Sequence, residues 1–336
     1  MRDPEVSIII VTYNSKRYLQ RCLESIYRQT SFSYEVIIVD NCSIDDTVEY
    51  VQNNFPSVRV IRNTQNKGYG AGNNLGVKYA RGKFIVILNP DTVVENNWLY
   101  EIIKPLETGD RLITIPKVLL YDGSRINTCG LNIHFTGLAF LIGFGKKSNE
   151  YNDIMEVYGI AGCCFAMQKK YYQDLGGFDE RIFMYQDDVD FSINARLSGF
   201  KILFVPKAII RHDYTLKVDN NKIYLLEKGR YLILKKYYKP LNIMLMMPSI
   251  IMSEILTLGY SLKFGLKGVY KKYKGLYDVL KIKDSSRKKV NDIGMFSNLL
   301  PTENQLQSKV INVCISLVNA VFYLNSLVYR ILKLTY

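Results

Sequence analysis

Apolar runs of strand length punctuate the first ninety residues of the chain. Positions 6–11 (VSIIIV), 35–39 (EVIIV), 58–61 and 84–88 (FIVIL) show no clean alternation. Each predicts a strand buried on both faces, the kind found inside parallel sheets. Between the runs the period changes. Leu19, Cys22, Leu23 and Ile26 recur at helical spacing and predict an amphipathic helix that Ser15 can cap. A second helix is expected over 45–54, opened by two acids at its positive end. A third runs from the glycines at 68, 70 and 72 to Ala80. Strand and helix therefore alternate with short connections, which predicts an α/β fold built on a parallel sheet.

Every predicted strand carries polar residues at its carboxyl end: Asn14, Asp40, Asn63 and Asp91. Pro90 removes a ladder donor, so the strand over 84–88 stops there and leaves Asp91 at its end. In open α/β sheets ligands sit on that rim. No GxGxxG opens the first helix, where Thr12-Tyr13-Asn14 stands instead, so a dinucleotide cofactor fits poorly. Gly68, Gly70 and Gly72 read as a flexible turn as readily as a ligand loop. Further on, 112–115 and 118–121 are strand-like, and 136–145 is Gly-rich, the composition of a loop. The run from Gly162 to Met167 predicts a small-residue strand backing a pocket, and 176–180 a turn. A helix starts among Asp187, Asp188 and Asp190 and stops at Gly199. Residues 201–205 form a strand closed by Pro206, with His212 beyond it.

Charge changes the picture once it is located. Residues 1–215 hold 24 basic and 24 acidic side chains, so the whole net charge of +13 lies in residues 216–336. A boundary near 215–240 follows, and a basic tail that meets something anionic. The six cysteines have no CxxC pair or regular spacing and suit a reducing compartment. Two histidines exclude a polyhistidine zinc centre. The first residues enter a strand directly, with no signal peptide expected.

Asp187, Asp188 and Asp190 crowd one helix start. Acids there cap a helix and complement its dipole, at about 0.3–1 kcal/mol each. Three within four positions also repel one another, and an acid beside acids has the raised pKa that suits a general base. A carboxylate at Asp91 and an imidazole at His212 offer a divalent ion an oxygen-rich set with room for phosphate oxygens. That points to Mg2+ or Mn2+.

These residues resemble glycosyltransferase family 2, inverting enzymes of the GT-A fold, and most nearly its rhamnosyltransferase-like branch. The likeness runs over about residues 5–240. It passes through VSIIIVTYNS (6–15), VDNCSIDDT (39–47), NKGYGAGNNLGVKYARG (66–82), ILNPDT (87–92), GGFDERIFMYQDDVDF (176–191) and GFKILFVPKAIIRH (199–212). The resemblance implies a Rossmann-like, mostly parallel GT-A domain over 1–236 and a basic, helical C-terminal region over 237–336. It implies a nucleotide-diphospho-sugar donor, UDP-, GDP- or dTDP-linked. Thr12, Tyr13, Asn14, Asp40 and Asn41 match positions that contact base and ribose, and Lys67, Asn73 and Asn74 positions near the diphosphate or sugar. Asn89-Pro90-Asp91 occupies the DxD position, with Asn89 in place of the first acid and Asp91 as metal ligand. His212 matches the histidine near the metal. Asp187-Asp188 matches a Glu-Asp pair whose second acid is usually the base. Asp188 ranks first, though a shorter Asp187 leaves the choice between them open. The acceptor implied is a hydroxyl of a glycan or polyprenyl-linked glycan. A nucleotidyltransferase lacks its Gly-rich signature here, and a non-catalytic nucleotide-sugar-binding protein is the other alternative.

The tail carries two long apolar stretches, 241–262 and 310–329. The first is long enough to cross a bilayer, but Pro248 and Glu254 argue against a simple span. In the second, Asn312, Ser316, Asn319, Tyr323, Ser326 and Arg330 draw one polar stripe, predicting an amphipathic helix. Lysines from 263 to 289 lie between them. Apolar helices flanking a basic segment suit an anionic membrane surface, with the chain cytoplasmic and peripheral on the cytoplasmic face. A solvated appendage, packed on the core or on a second copy in a homo-oligomer, is the plainer reading. Tyr270, Tyr273 and Tyr277 among the lysines suit base stacking, yet no nucleic-acid module accompanies them, and no nucleic acid is expected.

Overall fold

The computed structural model describes residues 3–214, 218–283, 289, 290, 293, 296–301 and 309–334. Two compact units divide them: residues 1–131 with 141–215, and residues 132–140 with 216–336.

The first unit is built on the apolar runs. β1 (Val6–Thr12), β2 (Tyr34–Asp40), β3 (Arg59–Arg62) and β4 (Phe84–Leu88) lie parallel in the order β4-β1-β2-β3. Ile8 sits opposite Val36 on one side and Val86 on the other. The runs lack alternation because both faces are covered. Val6, Ile8 and Ile10 meet Leu19, Cys22, Leu23 and Ile26 of α1 (Lys16–Tyr27), while Ile9 meets Val77 of α3 (Tyr69–Tyr79). α2 (Thr47–Asn54) completes the crossovers. Ser15 stands at the α1 N-cap, but its hydroxyl turns back to the carbonyl of Tyr13 and caps nothing. Gly70 and Gly72 belong to α3 and are not a flexible turn. A Cβ on Gly72 would come within 2.7 Å of Val11, so the glycine lets the helix seat on β1.

The sheet then extends past β4. After β5 (Thr92–Val94) and α4 (Trp98–Thr108), the two expected strands at 112–121 are one, β6 (Leu112–Leu120), with β7 (Ile126–Thr128) beside it. β8 (Leu131–Ile133) pairs with β9 (Ala139–Leu141), so part of the Gly-rich stretch is a hairpin. β10 (Met155–Glu156) forms an edge, and β11 (Cys164–Gln168) runs antiparallel between β4 and β6. α5 (Lys169–Leu175) and α6 (Asp187–Leu197) follow, and Gly176, Gly177 and Gly199 take the positive φ angles of the two helix ends. β12 (Lys201–His212) does not close at Pro206. Its pairing to β6 shifts between Val205, opposite Pro116, and Ile209, opposite Lys117, and this irregularity takes up Pro206 before the strand resumes to His212. That continuation carries His212 to the site.

The second unit is helical: α7 (Asn220–Tyr237), α8 (Pro240–Leu245), α9 (Met247–Leu262), α10 (Gly265–Lys281) and α11 (Lys309–Leu334). The apolar stretch 241–262 is broken at Met246, which ends α8 and caps α9, with Pro248 in the first turn. Gly275 lets α10 approach α7, since a Cβ there would lie 2.9 Å from the Lys228 nitrogen. Lys272, expected on a solvated basic face, is instead buried, its Nζ 2.6 Å from Glu227 and 2.9 Å from Glu254. On α11 the buried line is Asn319, Phe322, Asn325, Ser326 and Tyr329, while Ser316, Tyr323 and Arg330 of the expected stripe face outward. Asn312 lies outside the described side chains.

Candidate active site

The carboxyl rim of β1, β2 and β3 is one hydrogen-bonded chain. Register sets Thr12 opposite Asp40. Thr12 Oγ1 donates to Asp40 Oδ1 (2.9 Å), the Ser43 N–H donates to Asp40 Oδ2 (2.9 Å), and the Ser43 hydroxyl closes on Oδ1. Asn63 Nδ2 donates to Asn41 Oδ1 (2.7 Å), and Asn41 Nδ2 to the Gly68 carbonyl (3.0 Å). Asn14 holds a left-handed φ of 52°, pinned by Ser43 Oγ on its N–H and by its own Oδ1 on the Ile44 N–H. Tyr13 beside it is 52% exposed, a flat ring at the rim. Lys67 is exposed one residue before the Gly68 turn.

Asn73 and Asn74 part company. Asn73 is buried and its Oδ1 has no partner. Asn74 is engaged on all sides: Nδ2 donates to the Phe178 carbonyl and to Glu180, and Oδ1 accepts from Tyr172 and the Phe178 N–H. It therefore holds the turn after α5.

β5 brings Asp91 to His212. Thr92 pairs opposite His212, which lays the ring beside the preceding carboxylate, with Nε2 3.3 Å from Asp91 Oδ1. The contact lacks hydrogen-bond geometry, and Oδ1 is a buried acceptor without a donor. His212 Nδ1 lies 3.2 Å from Asn127 Oδ1, which fixes the ring with Nε2 on the Asp91 side. Asn89 Oδ1 is a second buried oxygen without a donor. Lone pairs converging with a second-shell amide on the histidine are a donor set that fits a divalent cation. Among the described residues no group of three or more His, Cys, Asp or Glu assembles, so ligand oxygens would have to complete the shell. Behind the pair, the Asp213 N–H donates to the Asp91 carbonyl (2.9 Å) and the Asp213 carboxylate pairs with Arg21.

The acidic helix start is held just as firmly. Tyr185 and Gln186 take successive left-handed φ angles of 62° and 63°, and α6 begins at Asp187. Asp187 Oδ1 accepts from the Asp188 N–H (3.1 Å), and its Oδ2 is buried without a partner. Asp188 Oδ1 accepts from the Val189 N–H (2.8 Å) and Oδ2 from the Gly162 N–H (3.2 Å). Backbone N–H groups thus engage both oxygens of Asp188 and one of Asp187, and neither acid is the helix cap, a position held by Gln186. Burial raises the pKa of both carboxyls above the ordinary range, and the Asp188 charge raises Asp187 further.

The start of β11 joins the two carboxylate centres. Asn89 N–H donates to the Cys163 carbonyl (2.9 Å), Gly162 N–H reaches Asp188, and the Tyr69 hydroxyl donates to the Gly162 carbonyl. Burial pushes the Cys163 thiol up to about 12, and the charges of Asp91 and Asp188 both add to that rise. Tyr69, Asn127, Gly162 and Cys163 carry no motif of their own. Their neighbours are distant in sequence, so no local pattern singles them out.

Comparison with known proteins agrees with this architecture. Residues 7–176 match the profile described as Glycosyl transferase family 2. The low-salt glycan biosynthesis hexosyltransferase Agl10 of Haloferax volcanii is 24% identical over 238 residues, 68% of this chain and 75% of that protein. Among solved structures, GalNAc-T7 with UDP, GalNAc and Mn2+ superposes with a TM-score of 0.58 at 18% identity, over 70% of this chain and 49% of that one. The mannosyltransferase PcManGT of Pyrobaculum calidifontis, with GDP-Man and Mn2+, gives 0.53 at 15% identity over 97% and 88%. The chain spans between 14% and 76% of the length of curated relatives it matches, and less than half of most of them. The fold is that of the GT-A glycosyltransferases. The profile match, the order of the strand-end residues and the two carboxylate centres bring the same conclusion: this chain is a member of glycosyltransferase family 2.

Proposed function

We propose that the chain is an inverting glycosyltransferase that moves a sugar from a nucleoside-diphosphate sugar to a hydroxyl of a glycan or polyprenyl-linked glycan. The observation that carries this reading is the pair of centres joined through β11. Asp91 pairs with His212, Asp188 accepts from the Gly162 N–H, and the adjacent Cys163 carbonyl accepts from the Asn89 N–H two residues before Asp91. In such a transfer the bond from anomeric carbon to diphosphate breaks while the acceptor oxygen bonds to the same carbon from the opposite face. Asp91 and His212, with Asn89 Oδ1 near, are the residues that would hold Mg2+ or Mn2+. The ion would supply Lewis-acid stabilisation to the departing diphosphate.

The chain's own groups do the rest. Thr12, Tyr13, Asn14, Asp40 and Asn41 form the seat for base and ribose, with Lys67 and Asn73 toward the diphosphate and sugar. Asn74 keeps the adjoining turn in place. Asp188 takes the acceptor's proton. Its Oδ2 is aimed by the Gly162 N–H, and burial among apolar neighbours gives it the raised basicity such work requires. Supporting the donor class, the two structural neighbours hold UDP with GalNAc, and GDP-Man. The excess positive charge of residues 216–336 supports work at an anionic membrane surface on the cytoplasmic side. The test is a screen of UDP-, GDP- and dTDP-sugars for binding and slow hydrolysis, with and without Mg2+ or Mn2+. One donor class standing out, with metal dependence lost in Asp91→Ala, supports the reading. No binding across the set contradicts it.

A further inference from the structure

Two helices of the second unit, α9 and α11, turn apolar side chains outward and small polar ones inward. Along α9 the residues turned inward are Ser249, Ser253 and Ser261, all buried, while Met247, Ile251, Ile255 and Leu262 are turned outward and stand 42–58% exposed. The sole charged residue of α9, Glu254, also faces inward, to Arg230 and Lys272. Along α11 the inward residues are Asn319, Phe322, Asn325, Ser326 and Tyr329, three of the five polar without a ring, and the outward ones are Leu317, Tyr323, Leu324, Leu327, Val328, Ile331 and Leu332 with Ser316, Ala320 and Arg330.

Polar groups bind the helices to each other. Ser249 Oγ donates to Asn325 Oδ1 (2.6 Å), Asn325 Nδ2 donates to the Leu245 carbonyl (2.9 Å), and Asn319 exchanges bonds with both the N–H and the carbonyl of Leu300. Serines and asparagines inside with leucines outside is the arrangement helices adopt against hydrocarbon, where association rests on small residues and interhelical hydrogen bonds. In water the hydrophobic effect drives the opposite order.

We propose that α9 and α11 are embedded in one leaflet of a lipid bilayer, their outward apolar faces in the acyl region and their polar faces toward the protein. The elements favour lying in the leaflet over crossing it. α9 has 16 residues, about 24 Å at 1.5 Å per residue, short of a hydrocarbon core of about 30 Å. α11 contains an 18-residue window of mean hydropathy 1.4, yet its inward face is committed to Asn319, Asn325 and Ser326 contacts along its length. Charge complements the surface. Lys263 and Lys267 follow α9 and Lys281 and Lys283 follow α10, all exposed, and Tyr260 sits at the α9 end, where an amphipathic ring suits the headgroup level. This deepens the membrane-surface reading given above and differs from it in a measurable way. Attachment by charge alone dissolves at high salt, whereas an embedded apolar face does not.

The full chain is mixed with phosphatidylcholine vesicles containing one-quarter phosphatidylglycerol, floated, then washed with about 1 M salt, at which the Debye length is about 3 Å. The parent chain is expected to stay with the vesicles and to come off only with detergent. The variant Ile251→Asp, Ile255→Asp, Leu324→Asp, Leu327→Asp changes only outward residues, so circular dichroism and donor hydrolysis should be unchanged. Its bound-to-free ratio should fall at least tenfold for each apolar contact removed, by the usual transfer energy of such side chains. Release of the parent chain by salt overturns the proposal while leaving charge-driven attachment standing. Retention of the fourfold variant overturns it as well. So does a monodisperse detergent-free dimer of the parent chain that the same substitutions split, because a second copy would then be what covers the face.

Discussion

Replacing Gly68 with alanine puts the join between the Gly68 turn and the acidic helix under direct strain. Gly68 has φ 87° and ψ 178°, a region open to glycine and nearly closed to other residues, so alanine there costs about 1–3 kcal/mol in backbone strain. The added methyl also has nowhere to go. It would lie 2.9 Å from the Phe183 carbonyl carbon, with the oxygen nearer still. That oxygen accepts the Tyr69 N–H at 2.9 Å, a bond worth about 0.5–1.5 kcal/mol net. Strain and bond together make about 2–4 kcal/mol. Gly176→Ala is the control that separates the two effects: its φ is 82°, yet a Cβ there meets nothing within 4 Å, so strain alone acts. Urea unfolding followed through Trp98, the sole tryptophan and fully buried in the same unit, reads both variants. The expected order is Gly68→Ala well below Gly176→Ala, with transfer activity lost only in the first, because Phe183 leads directly into Asp187 and Asp188. Equal losses of stability with equal activity would refute the claim that the turn positions the acids.

The remaining expectations concern the two centres. Asp187→Asn removes a buried carboxyl whose pKa the fold raises, a group that favours the native state below its unfolded pKa and loses that contribution as pH rises through its native value. Thermal unfolding should therefore show a smaller loss of stability in this variant than in the parent as pH climbs from about 4. In the same variant the acid limb of kcat/KM, set by the raised pKa of Asp188, should keep its position, since burial raises that carboxyl and Asp187 is still protonated while Asp188 titrates; a limb that moves would show that burial is not what sets it. Asn127→Ala takes away the partner of His212 Nδ1, and loss of such a second-shell partner typically weakens metal binding 10–100-fold. Metal titrations of donor binding should show that weakening, while Asn127→Asp should retain most of the affinity.

The strand core was readable because Ile8–Ile10, Ile37–Val39 and Ile85–Leu88 are covered on both faces, and burial of that kind leaves unbroken apolar runs. Proline misled the reading in two places. The strand-like runs 112–115 and 118–121 are one strand through Pro116, and Pro206, expected to close a strand, lies in the irregular stretch between Val205 and Ile209 where a missing N–H matters little. His212 was legible as a ligand type; its neighbourhood with Asp91 came from β12 running on through that irregularity. The Tyr69–Gly162–Asp188 connection joins residues that no spacing rule links. On α11 the period was right and the orientation was not, because which face meets the protein depends on the partners Leu300 and Ser249.

One measurement bears most directly on the assignment of the centres. Asp188→Asn keeps size and the Gly162 contact but removes the proton acceptor. Calorimetric donor binding, in the presence of Mn2+, should be unchanged, and transfer to acceptor should fall about 10²–10⁴-fold. Transfer at the parent rate with donor binding intact would contradict Asp188 as the base.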